Sequence, residues 1–469
     1  MLDERVVKDL RRKSRGAVIE PDDAAYASAR RVFNAMIDRH PRLIVRAADA
    51  DDVVRAVTFA RDHEIAIAVR GGGHNGAGLG TCDGGLLLDL GDLDEVVVDA
   101  EACEASVGGG CTWSEVDRAT HAHGLATPSG VISSTGVGGL TLGGGIGHLT
   151  RRFGLAIDNL LGVDLVLADG RRVHASADEH ADLFWAVRGG GGNFGVVTRF
   201  VFRLHRLSEV VAGPVLWPLD RIGEVLRWYR DFLPNAPEAL NGFFAVLSVP
   251  PAPPFPEPLH GRTVCGVVWC HTGAEEEAGN DLAPMRALGE PLFDGVHPMP
   301  YPALQSAFDP LYPPGHQWYW HGEFFREIDD ASIAVHERFA RELPTPLSTM
   351  HLYPVDGASH RASADATAFG FRDATWSGVV VGVDPDPAGA DALRRWTTDY
   401  GAALRPSSAG GAYVNFMMEE GERRVRATYR DNYARLAEIK RRYDPTNLFR
   451  INQNIRPAPA RAEARTGAA

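Results

Sequence analysis

The sequence predicts an α+β chain in two parts: a glycine-dense first part of mixed strands and helices, and a second part built on an antiparallel sheet backed by helices. Three observations predict it. A strand–helix–strand unit near the start breaks off at a run of glycines, Gly71-Gly72-Gly73. Two further glycine loops follow, around Gly136–Gly147 and Gly189–Gly195. Beyond about Leu207 glycine thins, proline and aromatic residues rise, and strand-like segments alternate with amphipathic ones, the texture of a sheet covered by helices on one side.

In the first part, 43–47 and 65–69 are apolar runs that read as strands, and the segment between them carries Val53, Val54, Val57 and Ala60 on one helical face, with Asp51 as its cap. Further strands are expected at 86–90, 95–99, 103–107, 163–168 and 171–174, the last two joined by the turn dipeptide Asp169-Gly170. Helices are expected at 112–123 and 179–187. Residues 196–207 alternate, with Phe200, Phe202 and Leu204 on one face and Arg199, Arg203 and His205 on the other. In the second part, helices are expected at 220–233, 275–288, 329–342, 385–403 and 422–442, and strands at 242–249, 262–271, 347–353 and 378–383. The domain reading is 1–207, completed by 443–457, then 208–442, with 458–469 a disordered tail rich in Ala, Pro and Arg.

Composition narrows the function classes. The chain has 469 residues, 45% hydrophobic and 23% charged, and a formal net charge of −13. That balance argues against nucleic acid or an anionic membrane as partner, since both need concentrated positive surface. The basic clusters Arg11-Arg12-Lys13, Arg423-Arg424 and Lys440-Arg441-Arg442 are short and read as solvated helix faces. The first residues are charged rather than apolar, and no long apolar run suggests a membrane span, so a cytoplasmic protein is expected. The five cysteines form no CxxC pair, and no Cys/His spacing suggests a metal.

The glycine loops carry the chemistry. After a strand, Arg70-Gly71-Gly72-Gly73-His74-Asn75 lets backbone N–H groups converge on an anion with no Cβ in the way, and a pyrophosphate is the natural guest. The loop 135–147 has the glycine spacing of a dinucleotide fingerprint, but no clean strand precedes it and no acidic residue closes a βαβ unit, so a nicotinamide site is not expected. Its glycines suit backbone lying flat against a large planar cofactor. With Gly189–Thr198, the set suggests an extended dinucleotide lying across one domain.

Together with the C-terminal run Tyr443–Ile455, these motifs in this order resemble the berberine-bridge-enzyme-like family of vanillyl-alcohol-oxidase-type flavoproteins, over about residues 37–457. The resemblance implies a two-subdomain PCMH-type FAD-binding domain plus a substrate domain. It implies a cofactor, FAD, held by Arg70, Gly71, Gly72, Gly73, His74, Asn75, Gly78, Pro128, Gly130, Ser134, Thr135, Gly138, Gly139, Thr141, Gly143, Gly144, Gly147, Asn193, Gly195, Val196, Val197, Tyr413, Asn415, Asn452 and Asn454. It places an 8α-histidyl bond on His74. Many relatives add a second bond from a cysteine at the position of Ile132 here, so a single attachment is expected. It also places Thr135 near flavin N5, with Leu140 beside the oxygen path.

The substrate side is expected from two regions. Tyr312–Phe325 is dense in aromatics, with His321 and Glu323 on one strand face, together with Tyr319, as candidate bases. The resemblance implies that Ala412–Phe416 is a strand beside the flavin, with Tyr413 and Asn415 turned the same way, Tyr413 then accepting a proton or orienting substrate. Glu419 and Glu420 have no secure catalytic counterpart. His351 and Tyr353 alternate on another strand and are weaker candidates. The expected activity is hydride transfer from a small organic molecule (alcohol, phenolic or polyketide metabolite, amine or sugar) to flavin, with O₂ as acceptor. The alternatives are a monooxygenase or dehydrogenase, or a flavin-loaded binding protein that confers resistance. Oligomeric state is not legible.

Overall fold

The computed structural model of the protein describes residues 3–459. The first part holds two sheets. In the smaller, Leu43–Arg46 and Ile67–Arg70 flank Leu86–Asp89 in parallel, and Val18–Ile19 pairs antiparallel at the edge. Helix Ala50–Asp62 connects the first pair of strands, so the expected strand–helix–strand unit forms. Its N-cap is Asp49, whose carboxylate accepts from the Asp52 N–H, not Asp51. Asp52 is itself buried and accepts from the backbone of Arg15, Gly16 and Ala48, tying the N-terminal segment to this helix.

The second sheet is antiparallel, in the order Val96–Asp99, Glu104–Gly108, Val196–Arg203, Leu160–Val166, Arg172–Ser176. Phe200 and Phe202 face the core as the alternation predicts, with two register shifts against the Leu160–Val166 strand.

The second part is one eight-stranded antiparallel sheet. The expected strands form as Leu240–Ser248, Thr263–His271, Thr349–Pro354 and Trp376–Asp384, joined by Gln317–Phe325. Glu209–Pro218, paired with Thr263–His271, was not expected. Its two prolines and Gly213 interrupt any apolar period, and pairing along most of its length overrides the local signal. Helices Ile222–Phe232, Asp330–Ala340 and Ala390–Leu404 cover one face through a core that includes Trp217, Trp269 and Trp376. Burial of such side chains supplies about 2–3 kcal/mol each. The other face turns to the glycine loops and packs Phe243, Tyr353, Val379 and Val381 against Phe33, Ile146 and Tyr413. Two ion pairs, the buried Arg151–Asp356 at 2.8 Å and the partly buried Arg372–Asp158 at 2.7 Å, tie the parts together.

The chain returns to the first part earlier than Tyr443. Ala412, Val414, Met417, Val425 and Tyr429 already belong to the core built on the five-stranded sheet. The single helix expected over 422–442 is two, Glu422–Tyr429 and Asn432–Tyr443, broken at Arg430, whose φ is 51°. Lys440 is not a solvated residue but is fully buried. Its ammonium donates to Asp444 and to the carbonyls of Asn193 and Phe449. Residues 460–469 of the expected tail lie outside the described residues. Among the described residues no helix is long and apolar enough to cross a membrane.

Candidate active site

One long cavity runs between the glycine loops and the bare face of the large sheet, with about 1940 Å³ of non-atom space including its open mouth. Its floor is backbone. Strand Ile67–Arg70 delivers Arg70, whose guanidinium is held by Asp89 at 2.8 Å and the Arg31 carbonyl at 2.8 Å. The following glycines meet the second loop backbone to backbone: a Cβ on Gly72 would lie 2.4 Å from Gly136 N. No residue but glycine permits that approach. The third loop is pinned from the C-terminus. Asn193 donates to the Gly190 and Gln453 carbonyls and accepts from Ile455 N–H, and Asn452 donates to the Gly192 carbonyl.

His74 sits in the wall where floor and sheet meet. Its ring stacks on Phe33 with centroids 4.3 Å apart, and Nε2 lies 3.2 Å from Ser134 Oγ. Burial pushes its pKa down to about 4, so the imidazole is neutral across the physiological range. Ser134 is held in turn by its neighbour Ser133, which donates both its N–H and its hydroxyl to Asp309.

Tyr413 and Asn415 do point together, but on a single 3₁₀ turn, Val414–Phe416, not on a strand. The Tyr413 oxygen accepts from Gly145 N–H at 2.8 Å and from Asn415 Nδ2 at 2.8 Å. Asn415 also donates to the Leu140 carbonyl. Desolvation raises the phenol to about 12. With both lone pairs engaged and its proton retained, Tyr413 is a donor rather than a base. Asn415 positions it.

The sheet supplies the opposite wall with Trp320, His351, Tyr353, Val379 and Val381, and the loop before the strand Gln317–Phe325 adds Tyr312. Trp320 lies so close over the loop that a Cβ on Gly76 would overlap its indole. His321 and Glu323 share a strand face as expected, but it is the helix-covered face. His321 packs on Gly401, and its Nε2 meets Glu323 at 2.9 Å. Glu323 is also paired with Arg424 at 2.8 Å, which together with His321 holds its carboxyl below the usual range despite burial. Strand alternation that points Trp320 inward points its neighbours away, so neither residue reaches the cavity. Thr135 does line it.

Of the residues expected to hold the cofactor, Arg70–Asn75, Gly130, Thr135, Gly138, Gly139, Asn193, Gly195–Val197, Tyr413, Asn415 and Asn452 line the cavity. The rest lie behind it. Gly143 packs under Asn415, Gly144 under Phe369 and Tyr413, Gly147 on the backbone oxygens of Ser129 and Gly130, and Gly78 on Ile37. Pro128 and Thr141 are buried, Asn454 is half-buried off the cavity, and Ser134 meets His74 instead. Residues the sequence did not single out also line it: Gly109, Phe200, Tyr429, Ile451 and Gln453. Gly109 stands in the short run Gly108-Gly109-Gly110, and Ile451 and Gln453 in the C-terminal segment, while Phe200 and Tyr429 stand in no glycine run or motif that would have marked them.

These residues fit a flavin dinucleotide. A Cβ on Gly139 would meet nothing within 4 Å, so the floor is open where a planar ring would lie. Tyr429 Oη and Trp320 Nε1, both in the lining, are buried with no hydrogen-bond partner among the described residues. Among the described residues no carboxylate, lysine or cysteine lines the cavity.

Fold and site thus define an FAD-binding flavoprotein. The family model described as FAD binding domain matches residues 41–176, and the one described as berberine and berberine like matches 412–456. The chain is 32% identical over 466 residues to (R)-6-hydroxynicotine oxidase of Paenarthrobacter nicotinovorans, covering 94% of this chain and 97% of that one. It is 31% identical to an FAD-linked oxidoreductase of Dictyostelium discoideum over 91% of each. The crystal structure of 6-hydroxy-D-nicotine oxidase from Arthrobacter nicotinovorans superposes with a TM-score of 0.85 at 27% identity, over 95% of this chain and 99% of that one. The chain belongs to the berberine-like family of FAD-linked oxidoreductases, and it is an enzyme of that class.

Proposed function

We propose that this enzyme is an oxidase of small organic molecules bearing an alcohol, phenol or amine group and bound in their uncharged form (an amine as its free base), that O₂ is its electron acceptor, and that its FAD is carried on His74 alone. The observation that carries the reading is the cavity that joins a backbone floor to an aromatic wall, at whose junction His74 presents a neutral imidazole. The relative named for 6-hydroxynicotine supports a small organic substrate.

Bound FAD supplies a two-electron acceptor that O₂ can reoxidise. The chain's own residues do the rest. Ser134 engages His74 Nε2, which leaves Nδ1 as the nitrogen free to bond the flavin 8α-carbon. Ile132 lines the cavity where a second tether would need a thiolate, and among the described residues no cysteine lines it. Tyr413 donates its O–H into the cavity, held by Gly145 and Asn415. Tyr312, Trp320 and Phe416 sandwich a planar substrate and exclude water. The absence of a lining carboxylate suits a substrate that carries no cation to be paired. A cytoplasmic location is part of this reading, supported by five cysteines that are all free.

The test is oxygen consumption by the purified yellow protein across alcohols, sugars, amines and phenols, with hydrogen peroxide measured alongside. Turnover with stoichiometric peroxide is expected for an uncharged alcohol, phenol or amine. Anaerobic flavin reduction by such a substrate with no oxygen uptake on admitting air would contradict the assignment of O₂.

A further inference from the structure

Thr349, His351 and Tyr353 stand at alternate positions of one strand, so their side chains share a face. They form a hydrogen-bonded row whose direction is fixed at one end. The Thr349 hydroxyl lies 2.6 Å from the carbonyl oxygen of Val246, and a carbonyl can only accept. The single Thr349 proton is therefore given to Val246. Toward His351 Nε2, 2.9 Å away, Thr349 can offer only a lone pair, so Nε2 carries the ring's hydrogen. Burial lowers the His351 pKa to about 3, so the ring is neutral and Nδ1 is bare. Tyr353 Oη, 2.7 Å from Nδ1, then spends its proton on His351. What remains on the Tyr353 oxygen is a lone pair. Tyr353 and His351 both line the cavity.

We propose that Tyr353 is the substrate-anchoring residue of this enzyme, and that it anchors as a hydrogen-bond acceptor, selecting ligands with an O–H or N–H at that position over ethers, esters and tertiary amines. The row ends in a peptide carbonyl, which has no proton to pass on and no path to take one. It orients; it is not a proton sink. Tyr413 is its counterpart of opposite sense, because its oxygen accepts twice and its proton is free. A ligand between them meets an acceptor on the sheet wall and a donor on the floor. Tyr312 Oη, 3.3 Å from the Nε2–H already pointed at Thr349, keeps its own proton for a second donor contact.

The inference rests on this cavity being the substrate site, and its test is chosen to fail separately from the oxidase reading. Holoenzyme labelled with ¹⁵N-histidine is measured by NMR, with His351→Gln to assign the resonance, and phenol and anisole are titrated against the flavin absorbance. The Nε2–H tautomer is expected for His351, with phenol bound at least about tenfold more tightly than anisole, as loss of a hydrogen-bonding partner in a polar subsite demands. Tyr353→Phe should bring the two affinities within about twofold. Thr349→Val, which leaves the cavity lining intact, should release the tautomer and shrink the preference. An Nδ1–H tautomer in the wild type, or equal response to phenol and anisole, absence of any response included, overturns the inference. Oxygen uptake that fails across every substrate while the tautomer and the phenol preference hold overturns the oxidase reading alone.

Discussion

The two sides of the cavity are built on opposite principles. On the floor, function comes from side chains that are missing: Gly72 and Gly136 touch through their backbones, and Gly139 leaves open space. On the wall, function comes from side chains whose direction is set by strand phase, with Trp320 inward and His321 and Glu323 outward from the same strand. A floor of backbone tolerates few substitutions but holds a cofactor shared across a family. A wall of alternating side chains can be respecified one residue at a time. That difference separates a floor fixed by backbone contact from a wall set by the choice of side chain.

The floor depends on the C-terminal return, and this is where the largest stability effect is expected. Lys440→Met removes the cation from a site where Asp444 is also fully buried, leaving an uncompensated carboxylate and two carbonyls, those of Asn193 and Phe449, without their donor. A loss of about 3–5 kcal/mol is expected, read as a large drop in Tm with weaker FAD retention. An unchanged Tm would mean that the third glycine loop is held without it.

The next effect is on turnover. Tyr413→Phe removes the donor aimed into the cavity and is expected to lower kcat by about 10²-fold, while Asn415→Ala, which only positions it, costs less. If Asn415→Ala is the more damaging, Asn415 contacts the reacting atoms itself.

A smaller, pH-dependent effect lies outside the cavity. Asp117 is buried beside Gln305, and its pKa is raised to about 7, by desolvation first and by Asp309 last. Raised above its unfolded value, the group favours the fold below about pH 4, and that contribution is lost as pH climbs toward 7. Asp117→Asn is therefore expected to raise stability at pH 8 by about 2–4 kcal/mol and by less at pH 5. Equal gains at both pH values would show that Asp117 ionises normally.

The smallest effect tests the wall directly. His321→Ala and Glu323→Gln are expected to change kcat by less than about threefold, because both lie behind the strand, while Tm falls through loss of the pairing with Arg424. A hundredfold fall in kcat at unchanged Tm would place them in the chemistry after all.

The sequence was legible where chemistry imposes local composition. Three glycine runs and His74 stand out because close backbone approach has one residue-level solution. The same rule overreached at Gly143, Gly144 and Gly147, which are small to admit Asn415, Phe369 and neighbouring carbonyls rather than a ligand. Strand phase was legible too, since His321, Glu323 and Tyr319 do share a face. Which face meets the cavity was not, because that depends on the helices Ile222–Phe232, Asp330–Ala340 and Ala390–Leu404 covering the other side. For the same reason the sequence does not show that His351 and Tyr353 line the cavity. Lys440 was misread because its partners, Asn193 and Phe449, are remote or lie beyond the helix end.

The central claim is that FAD is carried by one bond to His74. Intact-mass spectrometry of acid-denatured protein, followed by peptide mapping, tests it most directly. The wild type should retain the mass of one FAD, mapped to the peptide containing His74 and absent from the one containing Ile132, and His74→Ala should retain none. Flavin released from the denatured wild type, or a second flavinylated peptide, would contradict it.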